Sequence, residues 1–398
     1  MMITYPQRYS GTLITGTLNT GKYIEKIFNG LWQVDGQQIE AVYHDIKSAG
    51  VIIPAGEGRS KGALSISCSE MAKMGHGKMV MDRSDIGFPG RDLAEAAPVL
   101  RKRYGQICLL INSGSGRSLN PLLDAQKLGY YIANSKDARD FRIDLATTVL
   151  DSPLGKLSEK YGNRLLMNGK ETSQAVGEPS EFRPFGVIED IFTLSSGLLF
   201  HSMTRAMNVD ASAAQVIPLA KNLSTQISTT VNKIVKSQLY EDLLDALEQR
   251  GSCFFAGLGS SQEVTRMTGV RVGHVKRAMG DHIYVAGETN TPPPRPGDVL
   301  VVVSNSGETE IVAGLCRSFR KMGGQILSIV GTANSTIESL SDAAFLIQND
   351  TEPGVPSNFY IQAAFALSPL PIFLVERVES KGLELPDYIR NWHQSAVA

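Results

Sequence analysis

The sequence predicts an α/β protein built as an internal repeat: two doubly wound parallel-sheet domains, each a three-layer αβα sandwich. Three observations carry this. Two halves of the chain present the same order of signals, an amphipathic helix, an apolar strand ending in a glycine turn, a helix, and an apolar strand that breaks into serines. Their strands are continuous apolar runs, as expected of strands covered on both faces of a parallel sheet. The length, 398 residues, exceeds one ordinary domain and suits two of about 200 each. The expected division is 1–207, with an N-terminal helical extension, and 208–398, with a leading helix and a C-terminal tail.

Each element follows from local pattern. GQQIEAVYHDIKSAG places Ile39, Val42, Tyr43 and Ile46 at helical spacing, and YEDLLDALEQRG does the same with Leu243, Leu244 and Leu247. A strand and glycine turn follow each, VIIPAGEGRSKGA at Val51 to Ala63 and CFFAGLGSSQEV at Cys253 to Val264, so Gly56 and Gly58 match Gly257 and Gly259. The later strands are ICLLINSGSGRSLN at Ile107 to Asn120 and DVLVVVSNSGETEIV at Asp298 to Val312. Their loops align without a gap, pairing Ser113 with Ser304, Ser115 with Ser306, Gly116 with Gly307 and Ser118 with Thr309. The stretch from about Ala206 to Gln238 lacks glycine, holds one proline, and reads as a helical connection between the halves.

Composition narrows the partner. With 39 basic and 40 acidic residues the net charge is −1, which gives no reason to expect nucleic acid or an anionic membrane surface. The four cysteines, Cys68, Cys108, Cys253 and Cys316, are far apart, without a CxxC pair, and read as free thiols of a reducing cytoplasm. The start is too polar for a signal segment, and no apolar run is expected to reach the roughly 20 residues of a membrane helix. A small molecule is the expected partner.

In a parallel sheet, ligands collect at the carboxyl ends of strands where the strand order reverses. A helix N-terminus there offers unpaired amides and partial positive charge to a phosphate, Gly116 and Gly307 allow close backbone approach, and hydroxyls add neutral donors. The plainer reading is N-capping by Ser115 or Ser306. Two such loops at equivalent places favour phosphate. The GEGRS and GLGSS turns read either as tight strand-to-helix packing or as further binding backbone. A rival reading takes AGEGRSKG with KMVMDRSD as a dinucleotide fingerprint of an NAD(P)-dependent oxidoreductase, with Asp82 on a ribose or Arg83 on a 2′-phosphate. The third glycine is misplaced for it, and both serine loops stay unexplained.

AGLGSS, VAGETNTPPPRPGDVLVVVSNSGET and FRKMGGQILSIVGTANSTIESLSDAAFLI together resemble sugar isomerase (SIS) domains, with closest likeness to 6-phospho-3-hexuloisomerases. AGEGRSKGALSISCSEMAKMG and SGSGRS extend the resemblance to the first half, as in double-SIS phosphosugar isomerases. The resemblance implies a sugar phosphate held at Ser113, Ser115, Gly116 and Ser118 or at Ser304, Ser306, Gly307 and Thr309. Substrate contacts from Gly56, Gly58, Arg59, Ser60, Arg117, Gly257, Gly259, Ser260 and Ser261 would complete the site. It implies isomerisation through an enediolate, with no cofactor and no metal. RPFGVIEDIFTL matches the family's base-bearing helix start with one residue missing, which points at Glu189 and leaves Asp190 open. A first-turn carboxylate that favours the helix dipole is the alternative role. His393, in YIRNWHQSAVA, resembles the His-Ala near the family's C-terminus and is a second catalytic candidate. The second half has PSNFYIQAAFAL in the base's place, with Asn358 and Gln362 and no carboxylate.

The halves are unequal. The first keeps Arg59 yet has Arg117 where the family has Glu; the second keeps Glu308 and Glu288 yet has Ser260 in place of the Arg. Glu308 would repel a phosphate unless turned away, so the first loop is expected to bind more tightly, with residues of one half completing the other's site. Of the remaining histidines, His44 is expected in solvent, His76 and His274 as helix-end caps, His201 in the core and His282 in a surface turn. No pair has metal-ligand spacing. A cytoplasmic homodimer is expected, and a non-catalytic phosphosugar sensor is the alternative to an isomerase.

Overall fold

The computed structural model describes residues 18–74, 78–168, 190–249, 251–288, 291–349 and 352–386. The first half runs α1 (Thr20–Trp32), α2 (Gly36–Ser48), β1 (Val51–Gly56), α3 (Gly58–Lys73), β2 (Met79–Val80) and α4 (Leu93–Tyr104). It continues with β3 (Ile107–Asn112), α5 (Leu119–Asn134), β4 (Phe141–Thr147), α6 (Pro153–Tyr161), β5 (Arg164–Leu166) and α7 (Ile191–Asn208). After α8 (Val216–Ile234), the second half runs α9 (Gln238–Glu248), β6 (Cys253–Ala256), α10 (Ser260–Ala278), β7 (Ile283–Val285), β8 (Val299–Ser304) and α11 (Glu310–Lys321). It ends with β9 (Gln325–Val330), α12 (Thr336–Leu340), β10 (Ala343–Leu346), α13 (Phe359–Leu367) and α14 (Leu370–Ser380).

The repeat is complete at the level of topology. One sheet is ordered β2-β1-β3-β4-β5 and the other β7-β6-β8-β9-β10, with every pairing parallel. This is the two-domain doubly wound α/β architecture that the apolar strands imply. In each sheet the order reverses between the first strand and its inner neighbour, β1 and β3 or β6 and β8. That is where a doubly wound sheet leaves a crevice at its carboxyl edge.

Side-chain alternation decides how the layers pack. Along β1, Val51, Ile53 and Ala55 join an outer core with α4 and α5, while Ile52 faces the opposite core. The second sheet has its own outer core, in which Leu300 and Val302 meet Val312, Cys316 and Phe319 of α11. The inner faces of both sheets share one continuous core threaded by α1, α3, α7, α8, α10, α13 and α14. The two halves therefore meet through hydrophobic surface. Truncating a fully buried side chain such as Leu198 there costs about 2–5 kcal/mol.

Two sequence expectations change. The helical connection is divided: α7 stops at Asn208, Asp210 takes a left-handed conformation (φ 51°), and a short 3-10 turn at Ala213–Gln215 precedes α8. The run Phe359–Ser380, 22 residues long, is apolar enough to cross a membrane by composition, contrary to expectation. It is two helices broken at Ser368 and Pro369, and 83% of its most apolar window is buried inside the protein.

Candidate functional site

The serine loops stand at the carboxyl ends of β3 and β8, as the apolar-to-polar transitions require. Capping by Ser115 or Ser306 is overturned: the N-cap positions are Ser118 for α5 and Thr309 for α11, and neither side chain bonds its helix. Instead Ser113 Oγ and Ser118 Oγ pair at 2.8 Å, and Ser115 Oγ accepts the Arg117 N–H at 3.2 Å. The second loop repeats this last contact, with Ser306 Oγ accepting the Glu308 N–H at 3.2 Å. Ser304 Oγ accepts from Gly307 N–H, also at 3.2 Å. A hydroxyl-lined turn of one shape is thus built twice.

The glycine in each turn is obligatory. Gly116 and Gly307 have φ of 62° and 66°, and an added Cβ would stand 2.0 Å from Ser152 Oγ or 2.1 Å from Ser335 Oγ. The serines beneath them differ. Ser152 Oγ accepts the Gly155 N–H at 3.1 Å, whereas Ser335 Oγ, on a residue 2% exposed, has no partner among the described residues.

Carboxylates near the loops are not where a charge count puts them. Glu308 turns away from its loop, accepting from Thr336 N–H (2.7 Å) and Oγ1 (2.6 Å), and these bonds hold its carboxyl below the usual range. Its charge is thus directed at the start of α12 rather than into the loop. In the first half Glu57 Oε1 accepts the Asn120 N–H of α5 at 2.9 Å, and Arg117 is exposed.

The GxG turns lead directly into α3 and α10, whose N-terminal segments cross at the seam between the halves. Gly62 permits this approach: a Cβ there would lie 2.7 Å from Met267. Arg59, in the first turn of α3, forms an ion pair with Asp190 at the start of α7. Arg271, from the middle of α10 in the other half, places Nε 3.3 Å and Nη2 3.2 Å from the same Oδ1. The side chains of Asp190 and Arg271 are 7% and 3% exposed. Burial pushes the Asp190 carboxyl above its ordinary value, and Arg59 opposes that shift. The Asp190 N–H donates to Tyr23 Oη at 2.9 Å, fixing the helix start.

The first serine loop packs on that helix start. A Cβ at Gly114 would lie 3.0 Å from the Phe192 ring, and Asn112 Nδ2 bonds Ser60 O and Ser196 Oγ, both at 2.9 Å. In the second half, Asn305 Nδ2 bonds Ser357 Oγ at 3.2 Å, just before Asn358. There, however, the carboxylate comes from across the seam. Glu70 of α3, 1% exposed, accepts from Ser260 Oγ (3.0 Å), Ser357 N–H (2.8 Å) and Lys73 (2.6 Å). Ser260, Arg59's counterpart, is itself buried, as is Ser261.

Glu70 and Arg271 are the residues that sequence reasoning missed. Each lies the same number of residues beyond its glycine turn, so aligning α3 with α10 pairs them and exposes opposite charges at one position. Glu189, His393 and His76 lie outside the described residues. His274 is not a helix-end cap: α10 continues to Ala278, and the half-buried ring lines a cavity of about 960 Å³ between the halves with Gly58, Lys61, Glu263 and Arg266. Burial, with Arg59 and Arg277 nearby, lowers its pKa. Neither serine loop lines this cavity. His201 is fully buried and bonds Asn358 Oδ1 at 3.1 Å, His44 and His282 are exposed.

The dinucleotide rival loses its anchors: Asp82 is paired with Lys61 at 2.7 Å and accepts from Ser84, while Arg83 is paired with Asp124. Among the described residues, no group of three or more His, Cys, Asp or Glu could hold a metal ion.

Comparison with known proteins agrees with the repeat. The SIS domain matches residues 246–374, within the second half. A 3-hexulose-6-phosphate isomerase of Mycobacterium gastri is 31% identical over 178 residues, which cover 44% of this chain and 86% of that protein. The tagatose-6-phosphate ketose/aldose isomerase of Escherichia coli superposes with a TM-score of 0.58 at 10% identity, over 94% of this chain and 93% of that one. The C-terminal domain of the glucosamine-fructose-6-phosphate aminotransferase of Francisella tularensis gives 0.56 at 12% identity, over 92% and 96%. The solved structures speak for the shared fold across both halves, and the sequence match extends over most of the Mycobacterium protein. This chain belongs to the SIS-domain family of phosphosugar isomerases.

Proposed function

We propose that the chain isomerises a sugar phosphate at the site of its first half. The observation that carries this is the packing of the Ser113–Ser118 loop against the first turn of α7, through Gly114 and Phe192. It sets the hydroxyl-lined loop beside the start of α7, which supports the reading of that loop as a phosphate cradle. In this reading the phosphate takes hydroxyls and amides from Ser113, Ser115, Gly116 and Ser118, with Arg117 and Ser60 at its margin. Glu189 removes a proton from the carbon beside the carbonyl. The electron pair moves onto the carbonyl oxygen, giving an enediolate, and the proton returns to the neighbouring carbon as a hydroxyl proton shifts. Substrate and product are isomers, so no electron acceptor is needed. Asp190, its oxygen committed to two guanidiniums, serves as anchor rather than base. His393 is proposed to carry the second proton.

By analogy with the Mycobacterium relative, 3-hexulose 6-phosphate is the substrate to try first. The test is solvent deuterium exchange into it. Glu189→Gln is expected to lower exchange by about 10²–10⁴-fold, the usual weight of a general base, with Asp190→Asn acting chiefly on stability. Equal catalytic losses in both would reassign the base. Turnover is expected to survive dialysis against EDTA. We further propose a domain boundary near Asn208, where α7 ends, and a homodimer in the cytoplasm, without nucleic-acid or membrane partners; the four free, buried cysteines suit that compartment.

A second reading, a phosphosugar sensor, is favoured in the second half alone. Asn358 stands there in the place of Asp190, the nearby Glu70 carboxylate is committed to Ser357 and Ser260, and Ser335 Oγ is left unpaired beside the loop among the described residues. Binding of 3-hexulose 6-phosphate without label exchange would favour it for the whole chain.

A further inference from the structure

The two helices that cross at the seam carry opposite charges at one repeated position, and each charge serves the other half. Arg271 leaves the second half to hold Asp190 at the start of α7. Glu70 leaves the first half to hold the Ser357 N–H at the start of α13, and it occupies the Ser260 hydroxyl. Both are almost wholly buried, Arg271 at 2% and Glu70 at 1% exposed, so neither is a solvated surface charge. Asp190 and Asn358 are likewise matched, since they are the N-cap residues of α7 and α13. The same scaffold therefore yields a two-guanidinium clamp on one carboxylate in the first half. In the second half it yields a carboxylate sealed onto a backbone N–H, a hydroxyl and the Lys73 ammonium of its own helix.

We propose that Arg271 is a positioning residue for the first half's site and that Glu70 closes the equivalent place in the second, so that the fused chain has a single competent site. This rests on the isomerase reading above. Arg271 acts through Asp190: it fixes the entry of α7 against the first serine loop, where small displacements of a reacting group cost about 10²-fold in rate. Glu70 does the converse. Its charge and bulk fill the seam position from which the second half would need a cation.

The test compares wild type, Arg271→Ala, Arg271→Lys and Glu70→Gln in the full chain, using deuterium exchange into 3-hexulose 6-phosphate, tagatose 6-phosphate and fructose 6-phosphate. Arg271→Ala is expected to lower kcat about 100-fold with KM within about threefold. Millimolar guanidinium chloride, too dilute to denature, should restore at least tenfold of that loss by refilling the vacated guanidinium position. Glu70→Gln should leave kcat within about twofold. A loss in Arg271→Ala that neither guanidinium nor Arg271→Lys relieves would mark a merely structural role and overturn the inference. So would an unchanged kcat in Arg271→Ala, or a Glu70→Gln defect as large as that of Arg271→Ala. Should wild type exchange no label with any of the three sugars, the isomerase reading fails. Amide hydrogen exchange then decides the positioning role: faster exchange confined to the first turn of α7 in Arg271→Ala supports it, and an unchanged first turn overturns it.

Discussion

The first and second halves share a sheet order, a glycine turn and a serine loop, yet they differ at several polar positions around those features. Asp190 corresponds to Asn358, Arg59 to Ser260 and Glu70 to Arg271. The apolar positions of the strands hold the scaffold, and they read alike in both halves because any well-packed β-branched or aliphatic residue satisfies a strand covered on both faces. The polar exchanges are few and lie at the seam, in side chains that contribute little to the topology.

The largest expected effect tests the likeness of the halves. Gly116→Ala and Gly307→Ala each force a side chain into the left-handed region and onto a serine hydroxyl, and each should destabilise the fold by about 2–4 kcal/mol in denaturant titrations. A loss at one glycine alone would break the equivalence of the loops. Next comes the difference between them. Ser115→Ala should weaken binding of 3-hexulose 6-phosphate about tenfold by calorimetry, roughly 1.4 kcal/mol, and Ser306→Ala should leave the rate of exchange unchanged. Equal partial losses of binding would argue against one dominant site.

The smallest effect concerns pH at the seam. Burial lowers the pKa of His201 and of His274, so below about pH 6.5 the unfolded chain takes up protons that the native rings refuse. Stability should therefore fall as pH drops below 6.5, by at most about 1.4 kcal/mol per pH unit for each ring, and rise again as pH returns. His201→Gln should flatten that slope in thermal melts taken between pH 5 and 7. A slope unaffected by the substitution would show that the bond from His201 to Asn358 does not link the halves to pH.

Much of this was legible because it is local. ICLLIN and VLVVVS announce buried strands, and the hydroxyl run after each announces a change of environment at the strand end. The helix starts were misplaced for a physical reason. The left-handed glycines turn the chain once more before α5 and α11 begin, which moves the N-cap positions to Ser118 and Thr309 and takes Ser115 and Ser306 out of the capping position. Glu308 looked hostile to an anion because its partner, Thr336, lies far along the chain at the start of α12. Arg271 and Glu70 escape a local reading because the groups they hold, Asp190 and the Ser357 N–H, belong to other elements. The apolar run Phe359–Ser380 differs from a membrane span only in what surrounds it, and that is a tertiary fact.

The crossing of α3 and α10 has a genetic consequence as well. In a two-fold homodimer each position is encoded once, so both copies of this helix would carry the same residue at a given place. Here that place is written twice, as Glu70 and Arg271, and the two reach different partners across the seam, the start of α13 and the start of α7. A single chain holding both repeats can therefore set opposite charges at the two equivalent places of one seam, an arrangement closed to a symmetric pair of identical chains.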